Sequence, residues 1–137
     1  MADDQTRTLL DSYLAALSSR GDFAQYLAPD VVWTVMETGD EIRGREALRD
    51  FLIGFHTQVF DAHPEWRNVI TGDGTAVLEA VFDGTHIGDF AGIPPTGAHL
   101  RVPYCVVYDV SDGLITALRA YIPVTAMVSQ LAASGTP

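Results

Sequence analysis

The side chains able to do chemistry in this chain are few, and their spacing removes most possibilities. All eight basic residues are arginine, which excludes Schiff-base chemistry and a phosphate-loop lysine. The histidines, His56, His63, His86 and His99, show no HxH, HxxxH or HExxH spacing, and there is no CxxC; no metal is expected. His56 and His63 read as a helix end and a loop. No GxSxG marks a serine nucleophile. The single cysteine, Cys105, sits in the apolar run Tyr104-Cys105-Val106-Val107, where burial raises a thiol pKa and leaves it inert. Gly84, Gly88 and Gly92 are spaced by four, unlike a dinucleotide fingerprint, and read as strand ends and turns. What remains is general acid–base chemistry, or binding alone, in an apolar cavity. His86 is the candidate best suited to proton transfer, because it follows an apolar row, precedes a loop, and imidazole titrates at about 6.5. A structural histidine is the competing reading.

The elements that must position such residues are legible from periodicity. Leu9, Leu10, Tyr13, Leu14 and Leu17 predict a helix over 5–19, ended by Gly21, with a short second helix from Asp22 to Leu27. Pro29-Asp30 punctuates. Val31 to Glu37 reads as a strand, Gly39-Asp40 as a turn and Glu41 to Arg43 as a short return strand. From Arg45 the period returns to that of a helix, with Leu48, Phe51, Leu52, Phe55 and Val59 on one face. Glu65–Gly72, Thr75–His86, His99–Val110 and Leu114–Ile122 read as strands, with hairpin turns at Asp73-Gly74 and Asp112-Gly113. Residues 88–97 form a structured loop, Val124–Ala133 a closing helix after Pro123, and the tail from Ser134 is expected to fray.

Helices first and an antiparallel meander after imply an α+β fold, a curved sheet wrapped around the helices with a cavity at its open end. Strand parity assigns the walls. Val102, Tyr104, Val106 and Tyr108 share one face of their strand, and Leu118, Ala120 and Ile122 share one face of the next. These charge-free faces are the inner ones. Leu78, Ala80, Phe82 and His86 form the apolar row of the preceding long strand, leaving Glu79 and Asp83 outside. Tyr13, Trp33 and Phe55 are expected to complete the lining, although core packing is the plainer explanation of Trp33. Glu37 reads as a solvated rim residue.

Composition bounds the partners. Eighteen acidic against eight basic residues give a net charge of −10, which disfavours nucleic acid and acidic membranes. One cysteine allows no intrachain disulfide, so a reducing cytoplasm is expected. MADDQTRTLL does not read as a signal peptide, and no apolar run approaches the roughly 18 residues of a membrane span. At 137 residues a single domain is expected.

The stretch from Gly84 to Gly97, Gly-Thr-His-Ile-Gly-Asp-Phe-Ala-Gly-Ile-Pro-Pro-Thr-Gly, resembles the GTHxGxFxGxPPTG signature of SnoaL-like polyketide cyclases. The likeness extends to Gly44-Arg45-Glu46-Ala47, Asp112-Gly113-Leu114-Ile115, Arg119-Ala120-Tyr121 and Gln130-Leu131. It implies the cone-shaped α+β barrel of the nuclear-transport-factor-like superfamily, a homodimer formed through the sheet, and no metal or organic cofactor. In such cyclases an aspartate on the last strand and a histidine on the strand before it close a ring by an aldol reaction. Those positions fall on Ala120 and Val106 here, with Tyr104 at a polar position two residues before the latter. A further acidic position falls on Pro123, and the Asp-Arg-Asp set of related epoxide hydrolases has no counterpart. The resemblance therefore implies a cyclase or isomerase of polyketide-type secondary metabolism that binds a small hydrophobic molecule without the usual acid–base pair. Conformer selection by the cavity, or a relocated group at His86, Glu37 or Asp109, would then carry the reaction. The alternative is a non-catalytic small-molecule-binding protein on the same scaffold.

Overall fold

The computed structural model describes residues 2–134. The apolar stripe forms helix α1 (Asp3–Ser18), with Leu9, Leu10, Tyr13 and Leu14 buried. A short 3₁₀ turn follows at Phe23–Tyr26. Strand β1 (Leu27–Val35) starts at Leu27, not Val31, because Leu27 already pairs with Ile115. A register shift between Leu27 and Val32 accommodates Pro29, whose missing N–H cannot serve a regular ladder. β1 ends at Val35, where Gly39 N–H turns back onto the Val35 carbonyl at 2.7 Å, and β2 (Glu41–Arg43) returns antiparallel.

Helix α2 (Arg45–Gly54) buries Leu48 and Leu52. The sequence predicts one helix through Val59; instead Phe55–Val59 widen into a π-turn, whose exit is marked by the Phe60 N–H reaching the Phe55 carbonyl five residues back. Gly54, weak in a helix interior, sits at the junction. The widened turn delivers the chain into β3 (Phe60–Ala62), a strand too short for alternation to reveal.

The remaining strands are β4 (Glu65–Gly72), β5 (Thr75–His86), β6 (His99–Ser111) and β7 (Leu114–Tyr121), followed by helix α3 (Val124–Ser134). Asp112 and Gly113 both adopt positive φ, 53° and 76°, as a tight hairpin demands. The sheet runs β2-β1-β7-β6-β5-β3, with β4 also paired to β5. Only β1 and β7 pair in parallel, which makes the curled sheet mixed. It wraps the helices as an α+β cone. Of the expected tail, Ser134 ends α3, while 135–137 lie outside the described residues. One core cluster joins α1 and α2 to the middle of the sheet; a second gathers Phe60, Phe82, Leu100 and Val102 around Met127 and Leu131 of α3. Among the described residues no helix is long and apolar enough to cross a membrane.

Candidate functional site

Between the concave sheet and the helices lies a cavity of about 400 Å³, within the size range of small-molecule sites. Eleven of the residues expected around it border it: Tyr13, Trp33, Phe55, Leu78, Phe82, Tyr104, Val106, Tyr108, Leu118, Ala120 and Ile122; Val102, on the same strand face, packs in the cluster around Met127 and Leu131 instead. Parity works because β6 is buried at Val102, Val106 and Tyr108, with Tyr104 half-buried between them, while Pro103 is exposed and Cys105 and Val107 lie on the other face. Val106 and Ala120 are direct cross-strand partners. The two positions where the resemblance places a histidine and an aspartate thus sit side by side on the cavity wall, occupied by an isopropyl and a methyl group.

Three tyrosine hydroxyls belong to the lining. Tyr13 and Tyr108 meet edge-to-face with ring centroids 6.0 Å apart, and Tyr104 lies near enough to raise the pKa of both. No protein group hydrogen-bonds these three hydroxyls among the described residues. Burial pushes all three well above the ordinary phenol range, and mutual repulsion adds to this for Tyr13 and Tyr108. They are neutral O–H donors at physiological pH. The Trp33 indole, tilted against Phe51 at 5.8 Å, also keeps a buried N–H without a protein acceptor. Asp40 and Asp89 border the cavity, but both are exposed at its mouth. Asp40 pairs with the Thr38 hydroxyl at 2.9 Å, and Asp89 accepts the Gly92 N–H at 3.3 Å.

His86 stands apart from this lining. It is wholly buried at the end of β5, tilted against Phe60 at 5.4 Å. Its Nδ1 accepts the Thr96 N–H at 3.1 Å and lies 3.0 Å from the Thr96 hydroxyl, which in turn accepts the Ala98 N–H at 3.1 Å. An accepting Nδ1 puts the ring proton on Nε2, which has no protein partner. The geometry is that of a clamp on the loop after β5. Apolar alternation suggested the cavity face correctly for Leu78 and Phe82, but β5 runs on past the cavity into the α3 cluster, where His86 sits.

Glu37 is exposed, as expected, and has a further role: it accepts the N–H of Thr125 at 2.9 Å and also the Thr125 hydroxyl. These bonds hold its pKa below the ordinary carboxylate range, and they fix the start of α3, whose Val124 and Met127 border the cavity. Asp109 pairs with Arg119 at 2.6 Å on the outer face. The Cys105 thiol is raised by burial and by Glu79, in keeping with an inert residue.

Among the lining residues that the sequence does not place there, His56 and Trp66 bring ring nitrogens to the cavity border. For His56 the usable signal is the helical row Leu48, Leu52, His56, each four residues from the last. A second hollow of about 380 Å³ opens beside Arg20 and His63 and shares Leu17, Leu52, His56 and Trp66 with the first.

The SnoaL-like domain profile matches residues 10–118. The chain belongs to the SnoaL-like domain family. Solved structures agree on the fold of this SnoaL-like domain. A candidate SnoaL-like polyketide cyclase from Jannaschia sp. CCS1 superposes with a TM-score of 0.86 at 18% identity, covering 98% of this chain and 95% of that one. A candidate polyketide cyclase from Xanthomonas campestris pv. campestris gives 0.80 at 21%, covering 94% and 98%. A candidate ketosteroid isomerase from Kribbella flavida DSM 17836 gives 0.70 at 24%, covering 88% and 79%. No curated protein matches the sequence.

Proposed function

We propose that this SnoaL-like domain is a cofactor-independent cyclase or isomerase of polyketide-type secondary metabolism, acting on a hydrophobic carbonyl compound held in the cavity. The observation that carries this reading is the set of three unpartnered tyrosine hydroxyls in an otherwise apolar chamber. Neutral phenols with raised pKa values donate to a carbonyl oxygen without giving up their proton. In a dry site such donors stabilise the enolate that forms when an adjacent C–H ionises, each contributing about 10²–10³ in rate. Apolar walls fold a flexible chain into a reactive conformer, which lowers the barrier by several kcal/mol more. The absence of arginine from the lining favours a neutral substrate over a carboxylate or phosphate.

The test is turnover of a linear poly-β-keto ester by the purified protein, followed by mass spectrometry. Tyr104→Phe is expected to lower kcat/KM by about 10²-fold with the fold intact. Binding without turnover would replace the enzyme by a small-molecule-binding protein on the same scaffold, and undiminished turnover in the variant would remove the tyrosines from the mechanism.

The active form is proposed to be a homodimer built on the outer sheet face. Val77, Cys105 and Val107 are half-exposed there, Tyr121 is 49% exposed, and the Arg119–Asp109 pair adds polar contacts. Light scattering at micromolar concentration should give twice the 14.8 kDa of one chain; a monomer would refute the assembly.

A further inference from the structure

The cavity has donors for an oxygen, but Ala120 stands where the resemblance places an aspartate, so a proton acceptor is sought among the other lining residues. Its titratable border consists of three tyrosines, two exposed aspartates at the mouth, and His56. Tyrosines held protonated are not bases, and the aspartates face water. His56 differs from both. Its Nδ1 donates to the Leu52 carbonyl at 2.7 Å, so the lone pair belongs to Nε2, which has no protein partner among the described residues. The π-turn that holds it is a rare distortion that occurs frequently at functional sites.

His56 also occupies the wall between two spaces. It borders the apolar cavity and the second hollow, which Arg20 and Thr57 line and where His63 is exposed with Asp61 at 3.2 Å. Burial, with Arg20 beside it, holds its pKa below the ordinary histidine range despite the Leu52 bond, so the ring is neutral at pH 7.

We propose that His56 is the general base of the cavity and that its substrates are carbon acids flanked by two carbonyls. This rests on the cavity being the substrate site. Nε2 takes the proton from that carbon, and the C–H electron pair becomes an enolate whose oxygen is held by the tyrosine hydroxyls. The imidazolium then returns the proton, to another carbon in an isomerisation or to the new alkoxide after ring closure, so nothing is oxidised or reduced. A weakly basic imidazole suits only such activated C–H groups.

The experiment uses 5-nitrobenzisoxazole, a small apolar carbon acid. Loss of its C3 proton to a base breaks the N–O bond, forms the nitrile and releases a coloured phenolate. Both tryptophans border the cavity, so quenching of their fluorescence reports binding of the nitroarene. Wild-type protein is expected to accelerate the elimination beyond equimolar 4-methylimidazole, with a rate that rises through a single pKa below about 6.5 and then stays level. His56→Ala should lose about 10²-fold with quenching unchanged. His56→Gln, whose amide can still donate to Leu52, covers the case of an unstable alanine variant and should be equally slow. Binding with no acceleration, or acceleration that survives both substitutions, would overturn the base and leave the cavity reading standing. Absence of quenching in wild type would overturn both.

Discussion

Replacing Gly88 with alanine is expected to destabilise the fold by about 3 kcal/mol or more, the upper range of overpacking penalties. A Cβ at this position would stand 2.2 Å from the Gln58 carbonyl oxygen, 3.1 Å from its carbon and 3.2 Å from the Val59 Cα. All three are backbone atoms, so no side-chain rotation relieves the overlap. The loop would have to lift, and with it the Ile87 and Gly88 N–H bonds to the Val59 carbonyl, both 2.9 Å. Lifting also pulls Phe90 away from Phe55 and Phe60, whose ring centroids lie 6.0 and 5.4 Å from it. Urea unfolding checks the size of the effect. Gly92→Ala is the control: φ is +80° but no atom lies within 4 Å, so only the roughly 1–2 kcal/mol of left-handed backbone should be lost. Equal midpoints for Gly88→Ala and wild type would mean that the loop does not cross the π-turn as described. The spacing of glycines by four in the sequence therefore has a steric cause at Gly88 that turn propensity alone does not express.

The fold was legible wherever one segment carried its own instructions. Asp112-Gly113 fixes a turn, the turn fixes the β6–β7 register, and the register sets Val106 beside Ala120, so the cavity wall followed from local residues. What depended on distant partners was not legible. Nothing in Leu27 announces a parallel pairing with Ile115, and β3 exists because the far end of β5 offers an edge to three residues leaving a π-turn. His86 shows the limit of parity: alternation names a face, not a depth along the strand. β5 has 12 residues and spans about 40 Å at ~3.4 Å per residue, and only Leu78 and Phe82 of them line the cavity. His56 was lost for the opposite reason. A polar residue near a helix end is usually solvated, and only the widened turn and the second hollow behind it reveal a ring between two spaces.

Above pH 10 the protein should lose stability steeply, through the same three tyrosines. Tyr13, Tyr104 and Tyr108 have folded-state pKa values raised by burial. In the unfolded chain they ionise near 10, so above that pH the unfolded state has released protons that the folded state still holds. Their contribution is fully present below pH 10 and is lost as pH rises toward the folded values. Each raised tyrosine removes about 1.4 kcal/mol per pH unit, or ~4 kcal/mol from the three by pH 11. Urea midpoints at pH 8, 10 and 11 measure the slope, and tyrosinate absorbance should show three of the five tyrosines ionising together with unfolding. Tyr108→Phe should reduce the slope by about a third while changing stability little at pH 8, because the hydroxyl it removes bonds no protein group and its loss orphans no partner. A full slope in that variant would mean that the hydroxyls are solvated rather than enclosed. Tyr104→Phe then separates fold from function: a substitution nearly silent in stability at pH 8 but costly in turnover assigns the hydroxyl to the guest in the cavity, since no part of the protein uses it.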